Sequence, residues 1–175
     1  MTYEEMFQKV FHDPPKAGKK YVFAKDFPYQ IDVNLVPLDK EMSHSLLIRH
    51  PAKAIKSLYQ KTGIEHISGF DYFDPAEAGY TDIYKLWKML LKAGHKVTIV
   101  DADELLLDPA GVMEAYCEST GILPYSDKML TWKKGPIPDW DCWAGWHDDA
   151  LESTGLMKRD KISPIPDVSK MPEEV

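Results

Sequence analysis

Positive charge, cysteine and long apolar runs are all scarce in this chain, and each scarcity excludes something. Only two of the 175 residues are arginine, Arg49 and Arg159, and the formal net charge is −7. That balance opposes general binding of nucleic acid or of anionic membranes, so an anionic ligand needs a local basic site that overcomes the long-range field. Arg49, Lys53 and Lys56 together could supply one. The two cysteines, Cys117 and Cys142, are too few for a disulfide framework and sit in apolar surroundings, which fits a reducing compartment. No apolar stretch approaches the roughly 20 residues that cross a bilayer, and residues 1–5 lack the basic start of a signal peptide, so the expected location is cytoplasmic. There is no internal repeat and no Gly-x-x-x-x-Gly-Lys-Ser/Thr segment, which disfavours a kinase-like P-loop enzyme. His50, His66, His95 and His147 show no metal-ligand spacing, and no metal is expected.

What is present reads as one globular unit. Hydrophobic residues make up 44% and charged residues 28%, near the globular average. Residues 3–11 form a short helix candidate with Met6, Phe7, Val10 and Phe11 on one side, ended by Asp13-Pro14-Pro15. Three β-favouring runs, residues 21–24, 44–48 and 96–100, have the continuous apolar character of parallel strands buried on both faces. Asp74-Pro75 predicts the start of a long helix with the stripe Ile83, Leu86, Trp87, Leu90 and Leu91, closed by Gly94. Asp108-Pro109 predicts another, with Val112, Met113, Tyr116 and Cys117 at helical spacing and a stop at Gly121. Strands alternating with helices specify an α/β fold with a parallel sheet flanked by helices. Residues 157–175, rich in proline and alternating charge, read as a polar, solvated tail with the composition of a disordered segment, after a domain spanning 1–156.

Arg49 is the most informative single residue. It ends the run Ser45-Leu46-Leu47-Ile48 and precedes His50-Pro51, where proline opens a helix that carries Ser57. A guanidinium there can clamp a phosphate bidentately while the unpaired N–H groups of the helix start face the same region. His50 reads as a helix cap, and Ser57 as either a ligand or a small packing residue.

The run Leu46-Leu47-Ile48-Arg49-His50-Pro51, with Ser57 eight residues after the arginine, resembles the 3′-phosphate-binding segment of sulfotransferases. These enzymes use 3′-phosphoadenosine 5′-phosphosulfate (PAPS). Asp103-Glu104, Asp108-Pro109 and Thr120-Gly121-Ile122 are similar to the family's strand, acidic turn and amphipathic helix. Lys133-Lys134-Gly135 with Asp139-Trp140 has the spacing of its late Arg-Lys-Gly loop. Trp143, Trp146 and Ser153-Thr154-Gly155 are similar to the closing segment of a subgroup found alone or fused to other enzymes.

The resemblance implies a P-loop nucleotide-type fold and sulfuryl transfer from PAPS to an acceptor hydroxyl or amine. It implies that Arg49 and Ser57 hold the 3′-phosphate, with Lys133, Lys134 and Gly135 as weaker partners. Asp26 stands near the position of the family's catalytic histidine and is the candidate acceptor-side base. The resemblance fails at the phosphosulfate-binding loop. Pro15-Lys16-Ala17-Gly18-Lys19-Lys20 imitates it in letters but follows a helix and precedes a strand, so the expectation is a fold with the first strand and P-loop missing. Such a sheet leaves edges open to self-association or to a partner protein, and this chain is expected to turn over little. The alternative reading is a non-catalytic interaction module derived from the same fold. Trp132, Trp140, Trp143 and Trp146 are read as packing rather than as a substrate-stacking wall.

Overall fold

A computed structural model of the chain describes residues 5, 9, 18–30, 42–62, 72–122, 124–138, 140 and 145–173. The regular elements whose residues are fully described are, in chain order, β1 (His44–Ile48), α1 (Pro51–Thr62), α2 (Tyr80–Lys92), β2 (Val97–Asp101), α3 (Ala102–Leu107), α4 (Pro109–Thr120) and α5 (Asp148–Glu152). Single 3-10 turns lie at Pro28–Gln30, Pro75–Ala78, Asp127–Leu130 and Val168–Lys170. The chain forms two compact units: Met1–His44 with Gly79–Val97, and Ser45–Ala78 with Thr98–Val175.

The second unit is built on the pairing of β1 with β2, a two-stranded parallel sheet. Two side-chain contacts anchor α4 to both strands: Ser45 Oγ lies 3.3 Å from the Tyr116 hydroxyl, and Thr98 Oγ1 lies 2.8 Å from Ser119 Oγ. Leu46 and Cys117 are buried, and the Cys117 thiol points at the Met129 sulfur, 3.8 Å away. Three helix starts follow from local sequence. The His50 carbonyl accepts from the Lys53 and Ala54 N–H groups at 2.9 and 3.1 Å, and Pro51 fills the first helical position of α1. The Asp101 carboxylate accepts from Asp103 and Glu104 N–H at the head of α3. Asp108 does the same for Gly111 at the head of α4, which ends at Gly121 with φ +64°. After α5, the Arg159 N–H donates to the Leu106 carbonyl at 2.7 Å, so the start of the 157–175 segment is bonded to α3.

In the first unit α2 packs against the Pro28–Gln30 turn, with Leu86 and Leu90 buried. Gly79, at φ +69°, sits where an added Cβ would lie 3.7 Å from Pro28. At the head of β1, His44 meets His95 edge-on, ring centroids 4.8 Å apart. Its Nε2 is buried with no hydrogen-bond partner among the described residues.

Four expectations change. Residues 21–24 are not a strand: they are irregular, with Tyr21, Val22 and Phe23 exposed, so the described sheet has two strands rather than three. β-propensity needs a neighbouring ladder, and these side chains have none among the described residues. The strands that do form are not covered on both faces, since Leu47 is 59% and Ile99 49% exposed. Asp74-Pro75 opens a 3-10 turn instead of the long helix; Asp74 caps the Ala76 N–H at 2.8 Å, and the left-handed Gly79 separates that turn from α2. Leu91 falls outside the buried stripe. Glu5 and Lys9 are helical and exposed, while Met6, Phe7, Val10 and Phe11 lie outside the described residues.

Candidate functional site

Arg49 is partly buried and follows the last residue of β1 directly; two residues later α1 begins. This is the carboxyl end of a parallel strand, where open α/β sheets gather their ligands. Lys53, one turn into α1, is only 5% exposed, and its ammonium lies 2.6 Å from an Asp103 carboxylate oxygen. That pair locks the first turn of α1 to the first turn of α3. It also corrects the sequence grouping of Lys53 with Arg49 as charge for an anion: the Lys53 charge is already balanced inside the chain.

Ser57 is exposed on α1. It lies on the stripe Lys53, Ser57, Lys61, because residues four apart on a helix share a face. Both ends of the stripe are tied down, Lys53 to Asp103 and Lys61 to the Gly145 carbonyl at 2.9 Å, while the hydroxyl between them remains open to a ligand. The shared face of Lys53 and Ser57 is legible in their spacing; the docking of Lys53 and Lys61 is not, because their partners lie 50 and 84 residues away in sequence.

The late loop is organised by the segment that follows α5. Thr131 and Gly155 form an antiparallel bridge, flanked by bonds from Trp132 N–H to Thr154 O (3.0 Å) and from Leu156 N–H to Leu130 O (2.9 Å). Within it Lys133 is exposed, Lys134 pairs with Glu152 at 2.5 Å, and the Gly135 N–H donates to the Leu151 carbonyl at 3.0 Å. Gly135 takes φ +138°, a conformation that favours glycine. Trp132 donates its indole N–H towards Ala150 O and Ser153 Oγ, and Trp140 meets His147 at a 50° tilt with ring centroids 4.7 Å apart. Trp146 is partly buried, and Trp143 lies outside the described residues.

Asp26 belongs to the first unit, is exposed, and accepts the Phe27 N–H at 2.8 Å, with Lys25 over the Phe27 ring. Of the loop-like letters at 15–20, Gly18, Lys19 and Lys20 are exposed, Gly18 at a turn, and residues 15–17 lie outside the described set. Among the described residues no three His, Cys, Asp or Glu side chains cluster as metal ligands, and no helix is long and apolar enough to cross a membrane.

The chain is 32% identical over 160 residues to branched-chain-amino-acid aminotransferase-like protein 2 of Arabidopsis thaliana, which covers 90% of this chain and 26% of that protein. It is also 32% identical over 145 residues to the aminotransferase-like protein 1 of the same plant, 80% of this chain and 24% of that protein. The chain therefore spans about a quarter of the length of the curated relatives it matches. No solved structure matches it significantly. The Sulfotransferase domain profile matches residues 10–172, taking in the β1–α1 junction, the acidic turn and the late loop, and the chain belongs to that family.

Proposed function

We propose that the chain binds the 3′-phosphoadenosine part of PAPS, with Arg49 and Ser57 on the 3′-phosphate and Lys133, Lys134 and Gly135 as weaker contacts. The observation that carries this reading is the β1–α1 junction: an arginine at the carboxyl end of a parallel strand, immediately before a helix whose accessible serine lies on a stripe docked at both ends. A forked cation and a hydroxyl are the donors that a terminal phosphate takes, and the helix start adds dipole of the right sign. Lys134 and Gly135 already have partners in the chain, so their contacts to the ligand would replace existing ones.

In relatives that carry the phosphosulfate-binding loop the reaction would form an acceptor oxygen–sulfur or nitrogen–sulfur bond and break the bond from sulfur to the 5′-phosphate oxygen, releasing 3′-phosphoadenosine 5′-phosphate. Asp26 is the candidate base for the acceptor proton. No segment of these 175 residues has the Pro-Lys-Ser-Gly-Thr-Thr pattern that would cradle the leaving oxygens. Turnover by this chain alone is expected to be slight. The discriminating experiment compares 3′-phosphoadenosine 5′-phosphate with adenosine 5′-phosphate by calorimetry. Binding only of the nucleotide with the extra phosphate supports the reading; equal binding of both contradicts it.

A second reading has its own observation. Leu47 and Ile99, on the two strands, are exposed. A non-catalytic module would use these apolar positions and an open strand edge to hold a protein partner. Co-purification of a stoichiometric partner that ignores the nucleotide would favour it.

A further inference from the structure

Sequence grouping put Lys56 with Arg49, but the fold gives it a different neighbourhood. About 100° round α1 from the Lys53–Ser57–Lys61 stripe, Lys56 and Tyr59 form one wall of a cleft of about 310 Å³. The opposite wall is the C-terminal segment, with Pro166, Asp167, Lys170 and Pro172. This volume is at the lower end of small-molecule sites.

The charges of this lining are unequally committed. The Asp167 carboxylate accepts from the Ser169 N–H at 3.1 Å and the Ser169 hydroxyl at 2.7 Å, and it pairs with Lys170 at 3.3 Å. These bonds hold the Val168–Lys170 turn, and hydrogen bonds from Ser169 and Lys170 keep the carboxyl group below its ordinary titration range. Lys170 is thereby balanced. Lys56 has no ion-pair partner among the described residues. The rest of the lining is Gln60, Met171, two prolines and Tyr59, whose ring is set at 89° to Phe73 with centroids 5.2 Å apart. We infer that this cleft is a second ligand site, taking a small molecule with a flat apolar body and one anionic group, the anion on Lys56 and the body between Tyr59 and the prolines. The site is independent of the nucleotide reading.

The probe is 2-naphthoate, titrated into the full chain and followed by amide NMR shifts. Uncharged 2-naphthamide and ring-free acetate serve as controls. Naphthoate is expected to bind saturably in the millimolar range or tighter, with shifts at residues 56–60 and 166–172, and both controls to bind at least tenfold more weakly. Lys56→Gln, an exposed substitution, should raise the Kd about tenfold, as loss of one charge-assisted contact does. Asp167→Asn keeps an acceptor for the turn but removes a repelling charge, and should lower the Kd about threefold. Excess 3′-phosphoadenosine 5′-phosphate should not displace the probe. Naphthamide binding as tightly as naphthoate, an unchanged Kd in Lys56→Gln, displacement by the nucleotide, or no saturable binding at millimolar probe would each overturn the proposal.

Discussion

Lys53 shows at the scale of one residue how a charge can be structural and lie next to a proposed ligand site without serving it. Its side chain is 3% exposed and that of Asp103 13%, so each ion depends on the other. Removing one partner of such a pair leaves an uncompensated buried charge, which costs about 3–5 kcal/mol. Lys53→Met should therefore lower unfolding free energy by that order in urea titrations, and Lys53→Met with Asp103→Leu should regain most of it; equal losses in single and double variants would refute the coupling. Gly155 is fixed by sterics, since an added Cβ would lie 2.5 Å from the Leu130 carbonyl oxygen. Gly155→Ala should destabilise by about 1–3 kcal/mol, read as a lowered Tm.

His44 predicts a pH response. Burial, and then repulsion from His95, lower its pKa below the ordinary 6.5. The unfolded chain therefore takes up a proton below about pH 6.5 that the folded chain resists. Its effect on stability is absent above that pH, grows as pH falls towards the folded pKa, and then levels off. His44→Phe should flatten this part of the stability profile measured by denaturant titration, and an unchanged slope would contradict the assignment.

At the scale of elements, helix ends were far more legible than strands. Asp108-Pro109 and Gly121 announce α4 because capping and left-handed closure are decided by a few adjacent residues, and the structure places both ends there. Asp108→Ala should cost about 1 kcal/mol in thermal unfolding, the usual value of a cap. Gly79 was the missed breaker: the periodicity of Ile83, Leu86 and Leu90 was read correctly, but its upstream limit depends on a left-handed glycine packed on Pro28. Residues 21–24 carry strand composition without a ladder in the described structure, and a strand depends on a neighbour that no local pattern encodes. Arg49 and Ser57 could be singled out because the β1–α1 junction is local. The Lys53–Asp103 pair could not, since its members are fifty residues apart in sequence and only the fold brings them together.

For the whole molecule, family membership settles the kind of domain, while the proposed donor rests on the reading of the β1–α1 junction. The exposed Leu47 and Ile99 make self-association a measurable expectation: replacing both by threonine should shift sedimentation towards monomer if strand faces or edges pair between chains, and leave it unchanged if they do not. The most direct test of the central claim is calorimetric titration of 3′-phosphoadenosine 5′-phosphate into the wild-type chain and Arg49→Ala, with folding of both verified by circular dichroism. The account predicts binding by the wild type and a loss of tenfold or more in the variant, the scale of one bidentate charge-assisted contact. Equal affinity in the two proteins would remove Arg49 from the site and contradict the account.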